Sequence, residues 1–117
     1  MKEEELQENT IDTCRLFKVR AAHFRPAMTK HGWRTPVAAD GKGFPDLVMV
    51  GPRQLAVAEL KGDSAPKKVP EDQVAWLEAF RTIGIPAFVW RPPDWTSGHI
   101  ERVIRLLGQG LPVAPNN

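Results

Sequence analysis

The sequence predicts an α/β fold, a mixed central sheet flanked by helices. Three observations carry that expectation. Helical periodicity marks the two ends and the middle of the chain, over residues 3 to 18, 70 to 83 and 98 to 107. Short runs rich in β-formers lie between them, bounded by glycine and proline. Two of those runs, DLVMV and QLAVAELK, are apolar on successive residues rather than alternating, which requires cover on both faces.

Taken in order, the first helix has the stripe Glu3, Leu6, Thr10, Thr13 or Cys14, and Phe17, with Glu3 at its head and Glu4 and Glu8 pointing elsewhere. Residues 23 to 28 read as a short extended segment. The stretch TKHGWRTPVAADGKG has no period and is expected to be a long functional or mobile loop. DLVMV and QLAVAELK, joined through Gly51, Pro52 and Arg53, make a central hairpin. After the basic linker KGDSAPKKV, Pro70 suits a first helical residue, Glu71 and Asp72 suit the helix dipole, and Gly84 is the stop. That helix carries the stripe Val74, Trp76, Leu77, Phe80 and Ile83, which puts Gln73 on its buried side and Trp76 in the core. IPAFVW is the next strand and RPPDW a break. The last helix has Thr96 or Ser97 as cap, the stripe Ile100, Val103, Ile104 and Leu107, and Gly108 as stop. One domain therefore spans residues 1–107, with 108–117 a frayed tail.

Composition narrows the class. A chain of 117 residues supports one core, and 42% hydrophobic with 26% charged residues excludes wholesale disorder. No apolar run approaches the roughly 20 residues that span a bilayer. The acidic start MKEEELQEN is unlike a signal peptide. The single cysteine, Cys14, excludes an internal disulfide and a cysteine zinc cage, fits a reducing cytoplasm, and reads as a small buried hydrophobe. Seven cations (Arg15, Lys18, Arg20, Arg25, Lys30, Arg34, Lys42) face one acid, Asp40, between residues 15 and 42. Such a surface suits a polyanion or is simply a solvated face.

The hairpin carries the chemistry. Asp46 opens its first strand, and Glu59 and Lys61 close the second, so the turn brings all three to one edge of the sheet. Glu59 and Lys61, two apart, point to the same face. Two carboxylates beside a buried strand repel unless they share a positive charge, and Mg²⁺ or Mn²⁺ suits them, with the Leu60 carbonyl and waters as further oxygen ligands. Lys61 could then hold a water or balance a phosphoryl transition state. A strand-end salt bridge would use the same three residues. Lys30, Arg34 and Lys42, in the loop before Asp46, and Lys67 and Lys68, before the Gln73 helix, suit either DNA phosphates or solubility. DGKG lacks the length and context of a P-loop. His23, His31 and His99 have no metal-ligand spacing and read as surface or structural histidines. Trp33 and Trp95 fall in loops, to pack or to stack on bases.

GFPDLV, with ELK beginning 13 residues after Asp46, resembles the PD-(D/E)xK nuclease signature. Adding Ala58-Glu-Leu-Lys, Gln73-Val-Ala-Trp-Leu and Gly84-Ile-Pro-Ala-Phe-Val, nearly the whole chain is similar to the virus-type replication-repair nuclease (VRR-NUC) family. The resemblance implies a restriction-endonuclease-like core. It also implies Mg²⁺ or Mn²⁺ held by Asp46, Glu59 and the Leu60 carbonyl, Lys61 as catalytic lysine, and Gln73 bordering the site. A glutamate four residues before a glutamine matches Glu3 with Gln7 and would complete it, with Glu4, Glu5 and Glu8 as competitors. Stand-alone members are phage-type, so the implied activity is a structure-selective DNA endonuclease of the Holliday-junction resolvase kind, a homodimer acting in the host cytoplasm. A binding module that keeps the fold without catalysis is the alternative. Val69 departs from the small hydroxyl residue common before the Gln73 helix.

Overall fold

The computed structural model describes residues 1–24, 27–30, 32–34 and 38–115. The chain starts with α1 (Glu3–Leu16), three glutamates in its first turn at the positive end of the helix dipole. Leu6, Thr10, Thr13 and Cys14 are its buried residues, as the periodicity predicts. The two threonines can be buried because their hydroxyls donate to carbonyls one turn back, Thr10 to Leu6 at 2.7 Å and Thr13 to Asn9 at 2.8 Å. Burial pushes the Cys14 thiol up to about 12, so it stays protonated and inert.

Next come β1 (Arg20–His23), β2 (Ala27–Thr29), β3 (Gly32–Arg34), β4 (Leu47–Val50) and β5 (Leu55–Leu60). Then follow α2 (Glu71–Thr82), β6 (Ala87–Trp90), α3 (Pro92–Thr96) and α4 (His99–Gln109). The four-stranded sheet has the order β1-β4-β5-β6, antiparallel except for the parallel β5-β6 pair. It is the mixed sheet that the sequence predicts. The β4-β5 turn closes with Gly51 N–H donating to the Gln54 carbonyl at 2.9 Å.

Both faces of the sheet are covered, which explains why its central strands are apolar on every residue. Leu47, Met49, Ala56, Ala58, Leu60, Phe88 and Trp90 pack with residues of α1 and α4 in the larger cluster. Val57 and Ala87 pack with Leu77 of α2 in a smaller one, joined by Val48, Phe80 and Val89. Side-chain alternation along β5 therefore puts Val57 and Glu59 on the α2 face. Among the described residues no helix is long and apolar enough to cross a membrane.

Several expectations need correction. The extended segment expected at residues 23 to 28 is two strands. β1 ends at His23 and pairs with β4, whereas β2 pairs with β3 in a separate small sheet. Three of the four β1 side chains are exposed, so no burial period marks it, and part of the expected loop is β3. Pro70 is the N-cap of α2 rather than its first helical residue. RPPDW is not a plain break but contains α3, with the Arg91 N–H donating to the Asp94 carboxylate at 2.8 Å. Trp95 lies on α3 and packs against the main core instead of standing in a loop.

Gly108 does not stop the last helix, which runs on to Gln109 with Gly110 as its left-handed cap at φ 72°. Gly108 serves close approach instead, since a Cβ there would lie 2.5 Å from the Phe17 carbonyl oxygen. The tail is docked through residue 115. Val113 is buried and exchanges two hydrogen bonds with the Gln54 side chain, at 3.2 and 3.0 Å, and the Ala87 N–H donates to the Pro115 carbonyl. On α2, Leu77 is buried, Trp76 is half-buried rather than core, and Ile83 is 73% exposed.

Candidate functional site

The hairpin register pairs Leu47 with Ala58, so one step further Asp46 lies opposite Glu59. Side chains there continue the ladder that backbone groups leave off. The Asp46 carboxylate accepts the Leu60 N–H at 2.9 Å, and the Glu59 carboxylate accepts the Asp46 N–H at 3.3 Å. On the other edge, the Asp46 carbonyl accepts the Phe24 N–H at 2.8 Å. Each acid is thus held by the backbone of the opposite strand.

Lys61 extends the parallel pairing, its N–H donating to the Trp90 carbonyl at 2.9 Å. Its ammonium turns back to Glu59 Oε2 at 3.4 Å and donates to Gln73 Oε1 at 2.9 Å. Gln73 in turn donates Nε2 to Glu59 Oε2 at 3.2 Å. Glu59, Lys61 and Gln73 therefore close a triangle of hydrogen bonds on the α2 face. The amide that periodicity places on the buried side of α2 finds its partners in the site and not in the backbone.

Gly43, at φ +86°, determines how close the strand entrance lies to α2. A Cβ on it would sit 2.6 Å from the Asp72 carbonyl carbon and 2.8 Å from the Gln73 nitrogen, both rigid backbone atoms. Gly43→Ala combines that clash with a strained left-handed conformation. We expect it to cost about 2–4 kcal/mol of folding stability in a urea titration. An unchanged midpoint would rule out the close approach.

The start of α1 meets the same edge. Gly62 follows Lys61, and a Cβ on it would lie 2.5 Å from the Glu3 nitrogen, so the first turn of α1 abuts the end of β5. The exposed Glu3 side chain accepts from Gln7 at 3.2 Å at the rim of the site. Its carboxyl is raised from the ordinary value by partial burial and then by Asp46, with Lys61 and His23 opposing. Glu4, Glu5 and Glu8 are exposed.

The electrostatics describe a site short of positive charge. Glu59, 5% exposed, is pushed up to about 8 by burial and by Asp46, against the opposing pull of Lys61. Asp46 is also raised by burial, against the Leu60 N–H and Lys61. One ammonium serves a buried and a half-buried carboxylate. Among the described residues no group of three or more His, Cys, Asp and Glu gathers to hold a metal by side chains alone. An all-oxygen pair of carboxylates with unmet negative charge fits a hard cation that keeps several waters, as Mg²⁺ does.

The expected cationic surroundings are less organised. Lys30, Lys42, Lys67 and Lys68 lie on loops and turns, and the bonds to the carboxylate pair come from Lys61, Gln73 and backbone N–H groups instead. The Lys67–Lys68 linker is anchored by its backbone, Arg91 donating to the Pro66 and Lys67 carbonyls at 3.1 Å. The side chains of Arg34 and Arg25, together with His31, lie outside the described residues. Sequence reasoning missed His23, whose charge is felt by Glu3, and Phe24, which is bonded to Asp46. Only recognition of the β1 strand would have placed either one. Fold and cluster together define an α/β protein with a carboxylate and lysine site at the end of a mixed sheet. Comparison of the chain with protein-family models, characterised proteins and solved structures finds no match.

Proposed function

We propose that the protein is a metal-dependent DNA endonuclease with a PD-(D/E)xK core of the VRR-NUC type. The observation that carries this reading is the cluster itself. Asp46 and Glu59 hold each other in place through backbone N–H groups, and Lys61 and Gln73 are bonded to Glu59 on one face. A salt bridge alone would need one acid for Lys61, not a buried Glu59, a half-buried Asp46 and a bridging amide.

In this reading Asp46 and Glu59, with the Leu60 carbonyl and Glu3 at the rim, would hold Mg²⁺ or Mn²⁺. When bound there, the ion supplies Lewis-acid polarisation of a phosphate and a more acidic water. The protein groups do the rest. Lys61, oriented by Gln73, holds the attacking water and balances the charge that builds on the phosphoryl oxygens. Water adds to phosphorus, the ester oxygen leaves, and the leaving oxygen takes a proton. Gln73 positions both Lys61 and Glu59.

Branched DNA such as a four-way junction is the proposed substrate. Its two symmetric cuts suit a homodimer with two sites. A cytoplasmic setting, that of the host cell if the protein is phage-encoded, goes with a substrate of this kind. The test is incubation with linear, single-stranded, flap and four-way-junction DNA in Mn²⁺ and in chelator. Cleavage of branched DNA in Mn²⁺ alone is expected. Binding without any cut, indifferent to chelator, would overturn the enzyme reading in favour of a non-catalytic binding module.

A further inference from the structure

Beside the carboxylate pair runs a row of aromatic rings. Phe24 meets Phe44 edge-on at 5.7 Å, and Phe44 meets Trp76 at 5.0 Å and Phe80 at 5.9 Å. Phe24, Phe44 and Trp76, with residues 38–41, line a recess of about 410 Å³. Its walls hang from the same segments as the site. Phe24 donates its N–H to the Asp46 carbonyl at 2.8 Å, Phe44 is two residues ahead of Asp46, and Trp76 is one turn beyond Gln73. The Trp76 indole N–H donates to the Asp40 carbonyl at 3.0 Å, which fixes the ring. Phe24 is 40% exposed and belongs to neither core cluster.

We infer that this recess takes one unpaired nucleobase of the DNA strand whose adjoining phosphate reaches Asp46, Glu59 and Lys61. The identity of the ligand rests on the nuclease reading, whereas the recess rests on geometry. Its walls are π faces and edges, which stack on any base whose own face is open, and its volume is ample for a single ring system. The recess on the other side of Trp76, about 320 Å³, sets Asp40 and Asp72 against Lys42 and suits a polyanion less. DNA with an unpaired base beside the cut, at a flap, a gap or a junction centre, is therefore preferred over uniform duplex.

The experiment uses the Lys61→Ala protein in Mg²⁺ with a single-stranded oligonucleotide carrying one 2-aminopurine, following its fluorescence and the anisotropy of a distant dye. Quenching on binding is expected, retained in Phe24→Tyr. In Phe24→Leu, which keeps the bulk but not the π face, affinity should fall roughly five- to a hundredfold with loss of quenching. Phe24 is exposed enough for both variants to fold, and thermal melts verify this. Equal affinity and quenching in Phe24→Leu overturns the recess while cleavage of branched DNA by the unsubstituted protein leaves the nuclease reading standing. No binding by Lys61→Ala together with no cutting by the unsubstituted protein overturns both.

Discussion

Lys61→Ala is expected to leave branched DNA bound but uncut in Mn²⁺, with the cleavage rate reduced by about 10²–10³ or more. The expectation follows from the bonding of its ammonium. Lys61 is held by Gln73 Oε1 and Glu59 Oε2 rather than by solvent, so it is aimed before any substrate arrives. Pre-orientation makes a charge effective against a transition state, since no reorganisation is needed at the moment of reaction. Removing it leaves both carboxylates and the backbone clamps intact, so affinity for DNA should change only a few-fold in a gel-shift titration. Wild-type rates in this variant would sink the mechanism. A variant that neither binds nor cuts, yet melts normally, would make Lys61 a binding residue only.

The second large effect is on stability. The folded-state pKa of Glu59 is raised from 4.5 to about 8, so between those values the folded protein holds a proton that the unfolded chain has released. Stability in chelator must therefore fall as pH rises through that window, and flatten above it. Every tenfold difference in proton affinity between the folded and unfolded chain is worth about 1.4 kcal/mol, which makes the loss several kcal/mol. Asp46 and Glu3 are raised too and steepen the fall in the same direction. Glu59→Gln removes the main contributor, leaving one awkward hydrogen bond where an amide replaces an acceptor of two N–H groups. Urea titrations in chelator should therefore cross, the wild type more stable near pH 5 and the variant more stable near pH 9. Mn²⁺ should restore the wild type at high pH and leave the variant unmoved. Parallel curves would show that Glu59 ionises freely in the fold.

The two effects have one source. The carboxylates that would bind the ion are those whose burial costs the fold most, as expected where a site departs from the rule that buried charges be fully paired.

What could be read from residues alone is what short-range physics determines. A hairpin with its turn at residues 51 to 54 necessarily puts Asp46 beside Glu59, and strand alternation necessarily aims Lys61 with Glu59, so three members of the cluster were legible. The stripes of α1 and α4 and the position of Gln73 on α2 were legible for the same reason, because helical period decides them locally.

Tertiary structure decided the rest. β1 carries no period because its side chains are exposed, and it exists through its ladder with β4. Gly108 looks like a stop until Phe17 is packed against it, and the tail looks frayed until Gln54 takes both bonds of Val113. No local pattern brings the start of α1 to the end of β5, where Gly62 lies against the Glu3 backbone. The aromatic recess joins Phe24, Phe44 and Trp76 from three separate segments. Sequence determined the chemistry that lies within one hairpin and one helical turn of itself. Contacts between distant segments, whose partners no local pattern names, determined what surrounds that chemistry.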